Sequence, residues 1–476
     1  MIVELVITTV FLLASIGIML HAELAKNFFG IIHLLFFITF VIILHLFNLS
    51  EIGDKDYDVG YYLFAQLSVF IYLGLFTLFL MWLKDRKIST SHDRIIYSAL
   101  TIQNGWLIAA FSGWMFVKTY LVLKYGVSAF SYFAQLQGEY AVSHFYAWWE
   151  RPLEFYARDF AVGGCGIFLI KAVLEKGYWR THKIVTISFS AFSILYVGTH
   201  SSLIGPRRLL FLYVLIILTT FAWREQKTVS KLLLSKGRII IIASLVLIGS
   251  TTYYQSIRTN FFQPDIAEKL LSGNLFDFIQ GFSEALIPIP ESKRIRTSVQ
   301  FFREGPLNII YDIIEKRGNG NSGTGGQITI NAFANVMPRV IVGNTKQAIN
   351  ADALLEEKMS ITPAGPYLQS DVATSVLAIF IADFGWSGVL IAPMVMFFGL
   401  VIFSFFIGRS AFSSPILVLY IFSALLTLSG NVEGDFTLIL YLLRNTAIIL
   451  LVVFFFSFLP LGSVSAQTNK FRSSAF

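Results

Sequence analysis

The chain has 476 residues, of which 55% are hydrophobic and only 14% are charged, and its formal net charge is +7. Soluble domains average about 25% charged residues, so this composition excludes a soluble enzyme, a disordered chain and a nucleic-acid-binding domain. With one cysteine and a mean hydropathy of +0.69, it indicates a polytopic membrane protein without an intrachain disulfide.

Apolar segments of helical period follow one another along the chain, which favours an all-α bundle over a β-barrel. A helix needs about 20 apolar residues to cross a bilayer, so segments 160–175 and 415–429 are short for a span. The first segment has no basic region before it and is predicted to be a span rather than a signal peptide. The eleven predicted spans cover roughly 2–20, 28–48, 60–83, 95–117, 160–175, 185–203, 208–223, 239–256, 386–408, 415–429 and 437–459.

The loops between these spans differ in their basic residues. One alternating set of loops holds 16 Lys and Arg, and the short loops of the other set hold 6. Because basic loops remain in the cytoplasm, the N-terminus is predicted to lie outside and the C-terminus in the cytoplasm. The organisation is then a membrane bundle at 1–256, a large outer (periplasmic) loop at 257–385 and a second bundle with a cytoplasmic tail at 386–476.

Two outer segments have unusual compositions. Segment 124–160 is crowded with aromatic residues, which favours an interfacial belt and also suits stacking against sugar rings. Segment 317–327 reads RGNGNSGTGGQ and lacks the G-K-[ST] ending of a phosphate loop. It is predicted to be a mobile outer loop, with a lid over a substrate groove as the alternative.

No metal site is predicted. The seven histidines are scattered without H-x-x-x-H spacing. Asp54, Asp56 and Asp58 match D-x-D by letters, but they lie in a short acidic outer loop, which is most simply a solvated loop.

Arginines at the outer ends of the middle spans point to a phosphate ligand. Arg207 and Arg208 form a tight turn between spans six and seven, and Arg258 ends span eight on the same side. Guanidinium groups bind phosphate oxygens bidentately, so a convergent set suits a diphosphate. The alternative is snorkelling toward lipid headgroups.

Arg444 lies about seven residues inside span eleven, hence ~10 Å deep. An arginine at a helix centre costs about 2.5–3.5 kcal/mol on insertion scales, so a compensating partner is expected. Glu433 and Asp435 in the preceding short loop are the candidates for a structural ion pair. A second phosphate or acceptor contact is the functional alternative.

Other outer residues complete the candidate site. Arg339 and Lys346 lie on a proline-led turn of the long outer segment. A transfer reaction also needs a base, and the candidates are His200, Glu433, Asp435 and Asp371.

In this order, the motifs resemble those of the bacterial oligosaccharide repeat-unit polymerases, the O-antigen and enterobacterial common antigen group. The glycine–arginine pattern near span six is interrupted here by residues 200–204. The resemblance covers about residues 120 to 450 and rests on Val197-Gly198-Thr199 through Gly205-Pro206-Arg207-Arg208, Arg258, Pro338-Arg339 with Lys346, Phe384-Gly385-Trp386-Ser387-Gly388, Glu433-Gly434 and Arg444.

The resemblance implies an all-α membrane protein similar to the C-type membrane glycosyltransferases. Such an enzyme transfers a growing glycan from undecaprenyl diphosphate to a new lipid-linked unit at the outer face of the cytoplasmic (inner) membrane. It implies no cofactor and no metal. The implied partners are undecaprenyl-diphosphate-linked oligosaccharide, membrane lipid, a flippase and a chain-length regulator, with no nucleic acid.

Two competing functions are consistent with the same sequence. An O-antigen ligase-like transferase would use the same arginines with another acceptor. A flippase or transporter of lipid-linked oligosaccharide should carry several mid-membrane charges and internal repeats. Here Lys171 and Arg444 are the clear mid-span charges, and no repeat is visible.

Overall fold

The structure is a computed structural model, and all of its regular secondary structure in the described residues is helical. The described residues are 2–43, 45–46, 57–85, 92–125, 147, 149–199, 205–235, 264–271, 274–285, 287, 306–337, 351–361, 375–410, 414–430 and 436–458.

The helices are numbered here in chain order. In the first half they are α1 (Ile2–Ala22), α2 (Phe28–Phe37, continued by a π-helix at Ile38–Ile43), α3 (Val59–Asp85), α4 (His92–Thr101), α5 (Asn104–Tyr125), α6 (Glu150–Leu174), α7 (Tyr178–Thr181), α8 (Lys183–Thr199), α9 (Gly205–Arg224) and α10 (Val229–Ser235). In the second half they are α11 (Pro264–Leu271), α12 (Leu275–Ala285), α13 (Pro306–Gly318), α14 (Gln327–Val336), α15 (Ala351–Met359), α16 (Val376–Phe384), α17 (Trp386–Ser410), α18 (Pro415–Ser429) and α19 (Phe436–Phe458).

Among the described residues, five helices are long and apolar enough to cross a bilayer, which supports a membrane protein. They are α1, α3, α5, α17 and α19, and they correspond to predicted spans one, three, four, nine and eleven. Four shorter apolar helices, α2, α8, α9 and α18, correspond to spans two, six, seven and ten. Predicted span eight, 239–256, lies outside the described residues. The count of eleven crossings therefore stays a prediction.

Two boundaries differ from the sequence prediction. Span four was expected at 95–117, but the chain breaks at Ile102 and Gln103 into α4 and α5. The Ile102 carbonyl accepts a hydrogen bond from the buried Lys171 ammonium instead of joining a helix. Span five was expected from residue 160, whereas α6 begins at Glu150. Hydropathy missed these first ten residues because they are rich in charges that are paired within the fold.

A close backbone approach in the described bundle joins α6 and α18. A Cβ atom built on Gly163 would lie 1.9 Å from the carbonyl oxygen of Leu419, so only glycine fits there. Gly166 meets the side chains of Phe422 and Leu426 one turn further along. Small residues spaced in this way let helices in a membrane pack backbone to backbone.

The relative directions of helices test the predicted alternation of spans. Contacts of Phe64 with Trp386 and of Phe76 with Phe397 make α3 and α17 parallel, as expected for spans three and nine. Helices α6 and α18 also run parallel, because their contacts advance together from Tyr156 to Gly166 and from Tyr420 to Leu426. Alternation makes spans five and ten antiparallel, so the structure departs from the eleven-span order at this pair.

Part of the long outer segment packs into the bundle. Residues 306–311 of α13 are buried, and this helix lies against the first turns of α3. The Tyr57 hydroxyl donates to Asn308 Oδ1 at 2.9 Å, and the Asp58 amide donates to the Tyr311 hydroxyl at 3.0 Å. Segment 257–385 therefore contributes at least one helix to the core.

The glycine-rich stretch is a folded turn rather than a mobile loop. Its Thr324 amide donates to the Ala382 carbonyl at 3.0 Å, and Asn321 Nδ2 donates to the Lys358 carbonyl at 3.1 Å. Gly323 has φ +74°, and a Cβ atom there would lie 2.4 Å from the Ala382 oxygen. The glycines serve this close approach, which favours a fixed turn over the flexible lid expected at 317–327.

Candidate functional site

The short helix α14 is held at its N-terminus by a carboxylate from another helix. Its N-cap residue is Gly326, which has no side chain to accept the first amides. Asp383 of α16, only 4% exposed, takes this role. Its two carboxylate oxygens accept hydrogen bonds from the Ile328 and Thr329 amides at 3.2 and 2.8 Å and from the Thr324 and Thr329 hydroxyls. A negative charge here also complements the helix dipole.

The C-terminus of α14 is held by Arg444. Its Nη1 donates to the Val336 carbonyl at 3.3 Å, and Tyr441 of the same helix, α19, donates to the Asn335 carbonyl at 3.4 Å. The guanidinium also donates to Asn445 Oδ1 and lies 4.7 Å from the centre of the Tyr441 ring. A cation at a helix C-terminus is favourable, so these contacts compensate the burial of Arg444.

In the described part of the chain, Arg444 contacts a main-chain carbonyl, an amide oxygen and an aromatic ring, none of which carries a charge. Glu433 and Asp435, the expected partners, lie outside the described residues. Because the side chain of Arg444 is only half-buried, a charged ligand can still reach it.

We expect Asp383→Ala to detach the N-terminus of α14. The change removes four hydrogen bonds to a buried carboxylate, and leaving buried donors unpaired costs about 1–3 kcal/mol each before relaxation. Asp383→Asn keeps one acceptor and should destabilise less. Thermal unfolding in detergent measures the effect, with Glu357→Gln as the control because its carboxylate is 61% exposed. Equal unfolding temperatures for Asp383→Ala and the control would contradict the assignment.

Charged and tyrosyl side chains from three helices gather beside Arg444. The Arg444 cluster is defined as Tyr156, Arg158 and Asp159 of α6, Tyr420 of α18, and Arg444 with Asn445 of α19. The Tyr156 and Tyr420 ring centres lie 6.2 Å apart, and Tyr156 interacts electrostatically with both Arg444 and Asp159. Asp159 accepts hydrogen bonds from Arg158 Nε and Nη2 at 3.2 and 3.0 Å. The cluster therefore combines two guanidinium groups, a carboxylate and two phenols.

Arg158 and Asp159 were missed by the sequence analysis. They lie in the segment assigned to an outer aromatic belt, where a charged pair is unremarkable in sequence. The sequence feature that could have identified them is their position, because Arg158 and Asp159 directly precede the apolar stretch 160–174. In the structure their side chains are 30% and 15% exposed, respectively.

The other predicted site residues cannot be placed. Arg207 and Arg208 belong to the first turn of α9, but the description does not extend to their side chains. The remaining predicted residues lie outside the described residues: His200, Arg258, Arg339, Lys346, Asp371, Glu433 and Asp435. The predicted convergence of Arg207, Arg208 and Arg258 therefore stays a prediction.

The described part of the outer aromatic segment is organised around Glu150. Its carboxylate accepts hydrogen bonds from Lys124, from the hydroxyls of Tyr120 and Tyr125, and from the Ala147 amide. Burial raises the pKa of this carboxyl, but the four donors outweigh burial and lower it to about 2. Glu150 thus stays ionised and joins the ends of α5 and α6, which favours a structural role for these aromatic residues.

No group of three or more His, Cys, Asp or Glu side chains able to hold a metal ion occurs within the described ranges. Lys171, the other mid-span charge, is bound to the Ile102 carbonyl and is structural.

Comparisons with known proteins identify no relative. No family model matches the chain, and neither a curated protein nor a solved structure matches it.

Proposed function

We propose that this protein is a membrane glycosyltransferase that polymerises undecaprenyl-diphosphate-linked oligosaccharide repeat units at the outer face of the cytoplasmic membrane. The proposal rests on the sequence motifs and on one structural observation. Helix α14 links three motif segments that are distant in sequence.

The link works through both ends of α14. Its N-terminus is bound by Asp383, two residues before the Gly385–Gly388 entry of α17. Its C-terminus is bound by Arg444 and is followed directly by Met337 and the Pro338-Arg339 motif. Two of the segments that carry the resemblance, the Gly385–Gly388 entry and Arg444, are therefore joined through α14, which supports a shared site.

The Arg444 cluster contains groups suited to the reaction. In the proposed transfer, an acceptor hydroxyl oxygen attacks the anomeric carbon of the growing glycan, and the bond from that carbon to the diphosphate oxygen breaks. The diphosphate leaves with the bonding electron pair, and guanidinium groups such as Arg444 stabilise its developing charge. The hydroxyl proton needs a base, and Asp159 offers a carboxylate that, like Arg444, interacts electrostatically with Tyr156.

The test is polymerisation by the purified protein in nanodiscs, using lipid-linked repeat unit isolated from the source organism. We expect a ladder of products that differ by one repeat unit, and the ladder should persist in the presence of a chelator. Absence of any product longer than one unit would reject the polymerase proposal. Attachment of the glycan to lipid A core instead would indicate a ligase, and transfer across vesicles without a new glycosidic bond would indicate a flippase.

A further inference from the structure

A cavity of about 580 Å³ lies where the turn after α1 meets the turn between α9 and α10. Its volume falls within the range of about 300–1,000 Å³ that is usual for small-ligand sites. The loops that border it, 21–27 and 224–238, belong to the basic set that the sequence assigns to the cytoplasmic side. None of the residues that line the cavity belongs to the polymerase motifs.

The cavity presents charges of both signs. Lys26, Arg224 and Lys227 supply three cations, and Glu23 supplies one carboxylate. Arg224 uses Nη1 to bind the Val173 carbonyl at 2.8 Å, which fixes its guanidinium at the cavity wall. A guanidinium has five N–H donors, so this contact leaves donors for an anion.

Glu23 is the less usual member of this set, because its carboxylate is buried. The residue is 4% exposed, and one oxygen, Oε1, accepts the Ser230 amide at 2.8 Å. The other oxygen, Oε2, has no hydrogen-bond partner in the described part of the chain. Thr219, which also lines the cavity and is fully buried, has an unpaired hydroxyl in the same part. Buried polar groups are nearly always satisfied, so both indicate a ligand that supplies donors.

The rest of the wall is mainly apolar, and Gln226 and Thr228 are its other polar residues. Ile31, Ala222, Trp223 and Val229 line the cavity, and tryptophan is enriched where membrane meets water. Such a wall suits the glycerol and first acyl carbons of a lipid.

We propose that this cavity binds a phosphoethanolamine group, the headgroup of phosphatidylethanolamine. The primary ammonium donates to Glu23 Oε2, and the phosphate binds Lys227, Arg224 and Lys26. The anionic headgroup of phosphatidylglycerol would satisfy the cations, but its hydroxyls are uncharged and therefore weaker donors to the Glu23 carboxylate than an ammonium is. A choline headgroup carries a positive charge but has no N–H to donate.

The test compares three dioleoyl lipids by native mass spectrometry of the full-length protein in detergent. Phosphatidylethanolamine should bind about 10-fold more tightly than phosphatidylglycerol or phosphatidylcholine, which corresponds to about 1.4 kcal/mol. Glu23→Gln should remove this preference, since an amide oxygen without charge is a weaker acceptor for an ammonium. Lys227→Ala should weaken binding of both phosphatidylethanolamine and phosphatidylglycerol.

The matched control is Lys231→Ala, an exposed cation on α10 that does not line the cavity. It should bind phosphatidylethanolamine like the unchanged protein. A titration with soluble glycerophosphoethanolamine distinguishes a soluble ligand from a lipid headgroup. If it competes with phosphatidylethanolamine at equal concentration, the cavity binds a soluble ligand. If it competes only weakly, the cavity binds the lipid. Equal binding of the three lipids, or an unchanged preference in Glu23→Gln, would overturn the proposal.

Discussion

Replacing Arg444 with alanine should lower polymerisation at least about 100-fold, because removal of one preorganised donor to a developing oxyanion commonly costs that much. Arg444 contacts the end of α14 and also interacts electrostatically with Tyr156, whose ring centre lies 6.2 Å from that of Tyr420. Its guanidinium is half-buried in an apolar helix, where inserting a cation costs free energy. A functional role would explain why the arginine is there. Arg444→Lys should recover only part of the activity, since lysine cannot bind phosphate oxygens bidentately.

A structural role for Arg444 predicts a different pattern. If the guanidinium only anchors α14, activity should follow stability across variants. Tyr441→Phe provides the comparison, because it removes the hydrogen bond to the Asn335 carbonyl without changing a charge. We expect Tyr441→Phe to polymerise normally and Arg444→Ala to remain folded, as judged by thermal unfolding and product ladders. Full polymerisation by Arg444→Ala would remove this residue from the site.

Replacing Gly163 with alanine should prevent the close packing of α6 on α18. The added Cβ atom would lie 1.9 Å from the Leu419 carbonyl oxygen and 3.0 Å from the Ser423 amide nitrogen, both of which are backbone atoms. Neither can rotate away, so the helices must separate. Overpacking of this kind costs about 1–3 kcal/mol or more. Separation would also part Tyr156 from Tyr420, so we expect both thermal stability and polymerisation to fall.

The neighbouring glycine gives a matched control. A Cβ atom on Gly164 meets the edge of the Phe111 ring at 3.3 Å, and a ring can shift by a few tenths of an ångström. Gly113→Ala on α5 meets nothing within 4 Å and should be neutral or slightly stabilising. Size-exclusion profiles and unfolding temperatures of the three variants test whether the contact of α6 with α18 requires glycine at position 163. A Gly163→Ala protein as stable as Gly164→Ala would mean that α6 and α18 are further apart than described.

Hydropathy predicted the parts of the fold that depend only on composition. The spans at 60–83 and 386–408 match α3 and α17 closely, because long uninterrupted apolar stretches have few alternatives to a helix in a membrane. Hydropathy did not predict the start of α6. There Glu150, Glu154 and Asp159 are paired with cationic side chains that neutralise their charge. A hydropathy average over a sequence window treats such charges as exposed, because it takes no account of their partners in the fold.

The candidate site was predictable only in part for a related reason. Arg444 is conspicuous in sequence because an isolated charge stands in an apolar helix. Asp383 is not, since its partners Thr324 and Thr329 are more than fifty residues away and nothing local marks the capping. For the glycine-rich stretch, local composition was a misleading guide to structure. Its composition suggests flexibility, whereas Gly323 is required by a close backbone contact that depends on tertiary structure.

The burial of α13 bears on how the chain is assembled. Tyr57 and Asp58 leave the ribosome about 250 residues before their partners Asn308 and Tyr311. The first turns of α3 must therefore keep an uncovered face until most of the protein has been made. For the same reason, the outer segment is not a detachable module. Expressed alone, it would present the apolar face of Leu307, Ile310 and Ile314 to water and aggregate.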